Sequence, residues 1–124
     1  MGDFTMILNQ EVLNEYVFYL KNKYKNKILD LRLDHCTDEY GEYIYLKCII
    51  IKESQKNKGY GSTIMSEIIN LADDNNVRIV LIVTDMFGSE IDRLYGFYRK
   101  LGFIVSNVHN EKMYYIPIKI LKKV

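Results

Sequence analysis

Between residues 48 and 84 the chain runs from an apolar stretch, through a polar crossing, into an amphipathic segment and out into a second apolar stretch. Cys48-Ile49-Ile50-Ile51 has no polar side chain, which suits a strand covered on both faces. Residues 52–62 are polar and carry Gly59 and Gly61. Ile64, Met65, Ile68, Ile69 and Ala72 then recur at helical spacing, and the pattern stops near 73–76. Residues 77–84 are a second strand. Strand, helix, strand is a βαβ unit, so the two strands lie parallel with the helix packed on the sheet.

The flanks read as further elements of one sheet. Leu13, Tyr16, Val17, Leu20 and Tyr24 predict a helix over 11–25, with Lys21, Lys23, Lys25 and Lys27 crowding its cation-favouring end. Residues 27–36 alternate, with Leu29, Leu31 and Leu33 on one face and Asp30, Arg32 and Asp34 on the other. Asp38 and Gly41 supply a turn at 37–41, and 43–51 returns as the hairpin partner. A short strand is expected at 4–8 and a loop at 86–88. Ser89 and Asp92 have capping-box spacing for a helix over 89–101, striped by Ile91, Leu94, Tyr95, Tyr98 and Leu101 and closed by Gly102. Residues 103–108 and 113–120 are the last strands, turning at 109–112. Tyr114, Ile116, Ile118 and Ile120 share a face of the final strand, and Pro117 puts it at an edge or a bulge.

Composition narrows the function classes. The length gives one domain, 1–124. With 48% hydrophobic residues the chain is far from disorder, and a net charge of +1 argues against nucleic acid as a partner. No apolar run nears the ~18 residues of a spanning helix, and the first residues lack a basic leader. A cytoplasmic domain with no membrane and no nucleic-acid partner is expected; its oligomeric state, homodimer included, is left open. Cys36 and Cys48 are too few for a disulfide framework or a zinc site, so no metal is expected. His35, next to Cys36 on a strand, points to the opposite face and is badly placed as that thiol's base.

The crossing Lys56-Asn57-Lys58-Gly59-Tyr60-Gly61-Ser62 opens a helix, where free N–H groups and the dipole converge on an anion. Lys52, Lys56 and Lys58 add positive charge. The segment is neither GxxxxGK[ST] nor GxGxxG, because Ile64 stands where the third glycine would be. It reads either as a tight strand-to-helix turn or as a site for an anion other than those two motifs bind.

A second segment weighs on that choice: Phe97-Tyr98-Arg99-Lys100-Leu101-Gly102-Phe103 follows the next strand. Together the two segments resemble the GNAT superfamily of N-acetyltransferases. The family's acyl-CoA motif, [Q/R]-x-x-G-x-[G/A], is matched in spacing by residues 56–61, with Lys56 in place of Gln or Arg. Its F-Y-x-x-x-G-F signature is matched by Phe97, Tyr98, Gly102 and Phe103. Ile91 stands where many members carry an asparagine for the pantetheine arm, and the N-terminal half shows one helix where two are usual.

The resemblance implies an α/β (α+β) fold: a mixed, mostly antiparallel sheet of six or seven strands, a splayed parallel central pair and about three helices. It implies acetyl-CoA as co-substrate. The pyrophosphate would lie on Lys56, Asn57, Lys58, Gly59, Tyr60, Gly61 and Ser62, and the pantetheine arm beside Ile49, Ile50 and Ile51. The acceptor would be an amine, on a protein or a small molecule, attacking the thioester directly. Tyr98 would be the general acid. Glu42, Glu53 and Asp85, which flank the central strands, are candidate bases. The contrasting reading is a non-catalytic acyl-CoA-binding or protein-interaction domain of the same fold. The acidic stretch Asp34, Asp38, Glu39 and Glu42 would suit a cationic acceptor or is a solvated turn.

Overall fold

The computed structural model of the protein describes residues 8–83, 91–106 and 111–121. The strand expected at 4–8 lies, except for Leu8, outside the described residues. So do Asp85, the loop at 86–88, Ser89 and residues 109–110.

Helix α1 (Gln10–Lys23) leads into the hairpin of β1 (Ile28–Asp38) and β2 (Gly41–Ile51). A 3₁₀ turn (Glu53–Gln55) precedes α2 (Tyr60–Asn75), β3 (Arg78–Ile82) and α3 (Ile91–Lys100). β4 (Ile104–Val105), β5 (Lys112–Tyr115) and the short α4 (Ile118–Leu121) follow. Among the described residues the sheet has five strands in the order β1-β2-β3-β5-β4. β2 and β3 are the parallel pair; every other pairing is antiparallel. This is the mixed, mostly antiparallel sheet that the βαβ unit and its flanking hairpin imply.

Helix α1 starts where Asn9 accepts a hydrogen bond from Val12 N–H (2.9 Å) and buries Leu13 and Leu20. Its tyrosines fasten it to α2: Tyr16 donates to the Glu67 carbonyl at 2.9 Å and Tyr24 to the Glu67 carboxylate. The lysines at its end serve as surface ion pairs, Lys23 with Glu67 (3.1 Å) and Lys21 with Asp30 (3.6 Å). Ile64, Met65 and Ile68 of α2 are fully buried in one core with Leu31, Leu33, Ile44 and Leu46. Each such side chain contributes about 1.5–3 kcal/mol.

Two bulges reset the hairpin's alternation. Ile28 faces Ile51 and Asp30 faces Ile50, so Leu29 has no partner. The extra residue turns Leu29 outward, at 64% exposure, and Ile28 takes the buried position that strict alternation assigns to Leu29. Further along, Arg32 faces Cys48 and Leu33 faces Leu46, which leaves Lys47 as the extra residue of β2.

The C-terminal pattern departs from expectation at Pro117. Proline cannot donate to a ladder, so β5 stops at Tyr115 and the chain turns helical, with Ile120 N–H on the Pro117 carbonyl (3.0 Å). Pro117 is buried, β5 lies between β3 and β4 rather than at an edge, and Ile118 is 63% exposed. In α3 only Tyr98 is buried; Leu94, Tyr95 and Leu101 pack partly, and Ile91 is 40% exposed. Gly102 ends the helix at φ +99, as its position predicts.

Candidate active site

The described parallel pairing ends partway along β2. Its register runs from Tyr43 opposite Arg78 to Leu46 opposite Leu81, and there it stops. Lys47, the bulged residue, comes next. A bulge of this kind bends its strand and adds local twist. Among the described residues, Cys48, Ile49, Ile50 and Ile51 pair with β1 alone. Ile49, Ile50 and Ile51 are half-buried, the exposure expected of a strand with one side uncovered. The fully apolar sequence of this stretch points to burial on both faces, and Cys48 alone reaches it.

Beyond the end of β2 lies the loop into α2. Asn57 and Gly59 both adopt left-handed backbone, φ +64 and +84. Gly59 is the N-cap of α2 and, having no side chain, makes no cap hydrogen bond; the first turn holds no acidic residue. The N–H groups of Tyr60, Gly61 and Ser62 thus point out of an uncapped helix end, in contrast to the start of α1, which Asn9 closes. Gly61 is small for a second reason: a β-carbon there would meet the Phe97 ring at 3.3 Å. Lys56 turns its ammonium to Glu53, 3.0 Å away. From α3, Arg93 donates to the side-chain carbonyl of Asn57.

Opposite the loop, Tyr98 is buried with its ring edge-on to Phe97 and Phe103, centroids 5.0 and 5.4 Å away. Burial, with a further push from Cys48, raises its hydroxyl to about 12. Tyr98 is thus within electrostatic reach of Cys48 on β2. Burial and then Asp30, whose carboxylate lies 3.6 Å from Cys48 Sγ, push the Cys48 thiol upward as well. It stays protonated and is a poor nucleophile. Burial works to raise the Asp30 carboxyl, but Arg32, the Cys48 thiol, the Leu31 N–H and Lys21 outweigh it and hold it low. Gly96, two residues before Tyr98, has nothing within 4 Å of a would-be β-carbon. Close helix–sheet packing therefore does not account for this glycine; open space lies beside it.

The candidate bases are not brought to this place. Glu42, near the start of β2, lies about 20 Å along the strand from Cys48 and accepts from His35 Nε2 at 2.8 Å. Glu53 is 90% exposed and paired with Lys56. Asp85 lies outside the described residues. The acidic stretch is partly consumed too, since Asp38 takes both arms of Arg78, at 2.6 and 3.1 Å. Two residues with a place in the site escaped the sequence patterns. Arg93 belongs to no motif, and Asp30 reads as an outward-facing strand position. Only the pairing of Arg32 with Cys48 reveals its neighbour.

A parallel pairing that ends at a bulge, an uncapped helix start after it and a buried tyrosine on α3 are compatible with a group-transfer site for an extended substrate with an anionic end. Residues 17–103 match the acetyltransferase (GNAT) family, and the chain belongs to it. No curated protein matches the chain in sequence. Solved structures resemble its fold. A KacTA–DNA complex is 16% identical over 99% of this chain and 93% of that one, with a TM-score of 0.57. AtaTR bound with acetyl-CoA is 16% identical over 91% and 83%, with a TM-score of 0.57. An AtaT–AtaR complex bound to DNA is 15% identical over 98% and 91%, with a TM-score of 0.58. Near-neutral net charge argues for no nucleic-acid partner, yet two of these similar structures contain DNA. That exclusion is withdrawn, because net charge says nothing about a local surface or about a partner chain that carries the contacts.

Proposed function

We propose that the protein transfers the acetyl group of acetyl-CoA to an amine by direct attack, with the end of β2 and the start of α2 as the co-substrate site. The observation that carries this reading is the end of the β2–β3 register at Leu46 and Leu81, immediately before the bulge at Lys47. The pantetheine arm, an extended amide chain, would fit the side of Ile49, Ile50 and Ile51 that no described residue pairs with, as an added strand would. The pyrophosphate fits the N–H groups of Tyr60, Gly61 and Ser62. The open space at Gly96 supports passage of the ligand along α3.

Acetyl-CoA supplies an activated thioester. The amine nitrogen attacks its carbonyl carbon, a C–N bond forms, the C–S bond breaks, and the amine gives up one proton while the departing sulfur takes one. Tyr98, protonated at any physiological pH, donates to that sulfur. Against a thiol of ordinary acidity, near 8.5, full transfer is uphill by about 5 kcal/mol, so hydrogen bonding to the thiolate is the larger part of its role. A covalent acetyl-cysteine route is disfavoured by the raised Cys48. Among the described candidates Glu42 is distant and Glu53 is paired to Lys56, so in this reading the amine arrives already neutral. A lysine-like amine is neutral in well under about 1% of molecules at pH 7, so kcat/KM should climb with pH. The free thiols Cys36 and Cys48 suit a reducing, cytoplasmic setting.

The test is thiol release from acetyl-CoA against small amines, lysine peptides and peptides with free N-termini. Release that depends on one acceptor class supports the proposal. Tight CoA binding with no release on any acceptor would leave the non-catalytic binding domain instead.

A further inference from the structure

We propose that Arg93, on α3, supplies the phosphate-binding guanidinium that the loop before α2 lacks, and that Lys56 does not substitute for it. The inference rests on the acetyl-CoA reading above and deepens it. Lys56 is engaged with Glu53 at 3.0 Å, a surface ion pair that draws its ammonium toward its own neighbour. Arg93 reaches the loop from the other side and donates through Nη2 to Asn57 Oδ1. Asn57 sits between Lys56 and Lys58 in left-handed backbone, φ +64, a conformation its short polar side chain tolerates better than most. A guanidinium has five N–H donors. One goes to Asn57, which orients the group and leaves the others for an anion at the uncapped start of α2.

The surrounding helix face fits the same role. Residues 93, 96 and 97 lie on one side of α3 by helical spacing. Phe97 packs on Gly61 of α2, and Gly96 leaves open space beside them. The contact that docks α3 on α2 therefore sets Arg93 beside the loop, next to an unfilled gap. The ligand chemistry is a diphosphate ester, which a planar fork binds through two parallel hydrogen bonds and an ammonium binds as a point charge.

Calorimetric titration of CoA and of dephospho-CoA, which keeps the pyrophosphate and lacks the 3′-phosphate, tests this. Arg93→Gln should weaken both ligands alike, by about ten- to a hundredfold. Arg93→Lys should recover only part of the loss, and Lys56→Gln should change affinity less than threefold. In turnover the Arg93→Gln loss should fall on KM for acetyl-CoA rather than on kcat. Undiminished binding in Arg93→Gln would overturn the assignment. So would a loss confined to CoA, which would move Arg93 to the 3′-phosphate, or an equal loss in Lys56→Gln. A wild-type chain that binds no CoA would overturn the acetyl-CoA reading itself, a result separate from failure of Arg93 alone.

Discussion

The Phe97 ring rests on the bare backbone of Gly61, with Cζ 3.3 Å from where a β-carbon would be. Gly59, two residues earlier, faces open space and is needed for its φ of +84 instead. The two glycines should therefore fail differently. Gly59→Ala should cost about 1 kcal/mol through backbone strain, whatever stands at 97. Gly61→Ala should cost about 1 kcal/mol by crowding the ring, and Phe97→Leu should relieve part of that. Denaturant unfolding of the single and double variants measures the coupling. Strict additivity for Gly61 and Phe97 would deny the contact.

The Tyr98 side chain is buried, but its hydroxyl is not among the enclosed unpartnered atoms and makes no hydrogen bond to another described residue. Tyr98→Phe should accordingly leave the melting temperature nearly unchanged, since no hydrogen bond within the described residues is lost. Turnover should fall by about 10²-fold or more, with CoA affinity within a few-fold of the wild type. Stopped-flow thiol release and calorimetry separate the two effects. Full turnover in the variant would remove Tyr98 from the chemistry.

Local periodicity made the βαβ unit, the hairpin and the three long helices legible, because each rests on side chains a few positions apart. The family motifs made the loop and Tyr98 legible for the same reason. What escaped depends on register across strands or on contact between helices. The bulge at Leu29 exposes that leucine and buries Ile28 in its place, and nothing in Ile28-Leu29-Asp30 announces it. The meeting of Arg93 with Asn57 needs the docking angle of α3 on α2, which no one-dimensional pattern encodes. Glu42 and Glu53 flank the central strands in sequence, but strand direction carries one to the far end and an i,i+3 lysine takes the other.

Asp38 and Arg78 give the fold a defined acid sensitivity. Arg78 donates two hydrogen bonds to the carboxylate and a third to the Gly41 carbonyl (3.2 Å), with its guanidinium over the Tyr43 ring. That hydrogen bonding holds the Asp38 carboxyl below the ordinary carboxylate value, against the opposing effect of burial. A carboxyl lowered on folding contributes stability that is complete above its unfolded value, near 4, and lost as pH falls through the folded one. Asp38→Asn should destabilise by about 1–3 kcal/mol at pH 7. Its stability should also vary less than the wild type's below pH 4. Parallel pH–stability curves for the two proteins would assign the acid sensitivity to other groups.

Gln10 closes part of the sheet's outer edge. β1 is an end strand among the described residues, and its Leu33 carbonyl and His35 N–H face away from β2. The Gln10 side-chain amide takes both: Nε2 donates to Leu33 O at 2.9 Å and Oε1 accepts from His35 N–H at 2.7 Å. Those two groups flank Asp34 as they would flank a residue paired with a parallel strand, so one amide stands in for a neighbouring peptide. Nearby, Asp30 covers the Leu31 N–H at 2.9 Å. Such cover matters because an open edge recruits other chains. Gln10→Ala should cost about 1 kcal/mol, speed hydrogen exchange at the His35 amide and raise concentration-dependent association. Gln10→Glu should keep the bond from His35 N–H but set a carboxylate oxygen against the Leu33 carbonyl. Its stability deficit against the wild type should therefore be larger at pH 7 than at pH 4, where the protonated acid donates again. An unchanged His35 exchange rate in Gln10→Ala would show that the amide does not guard the edge.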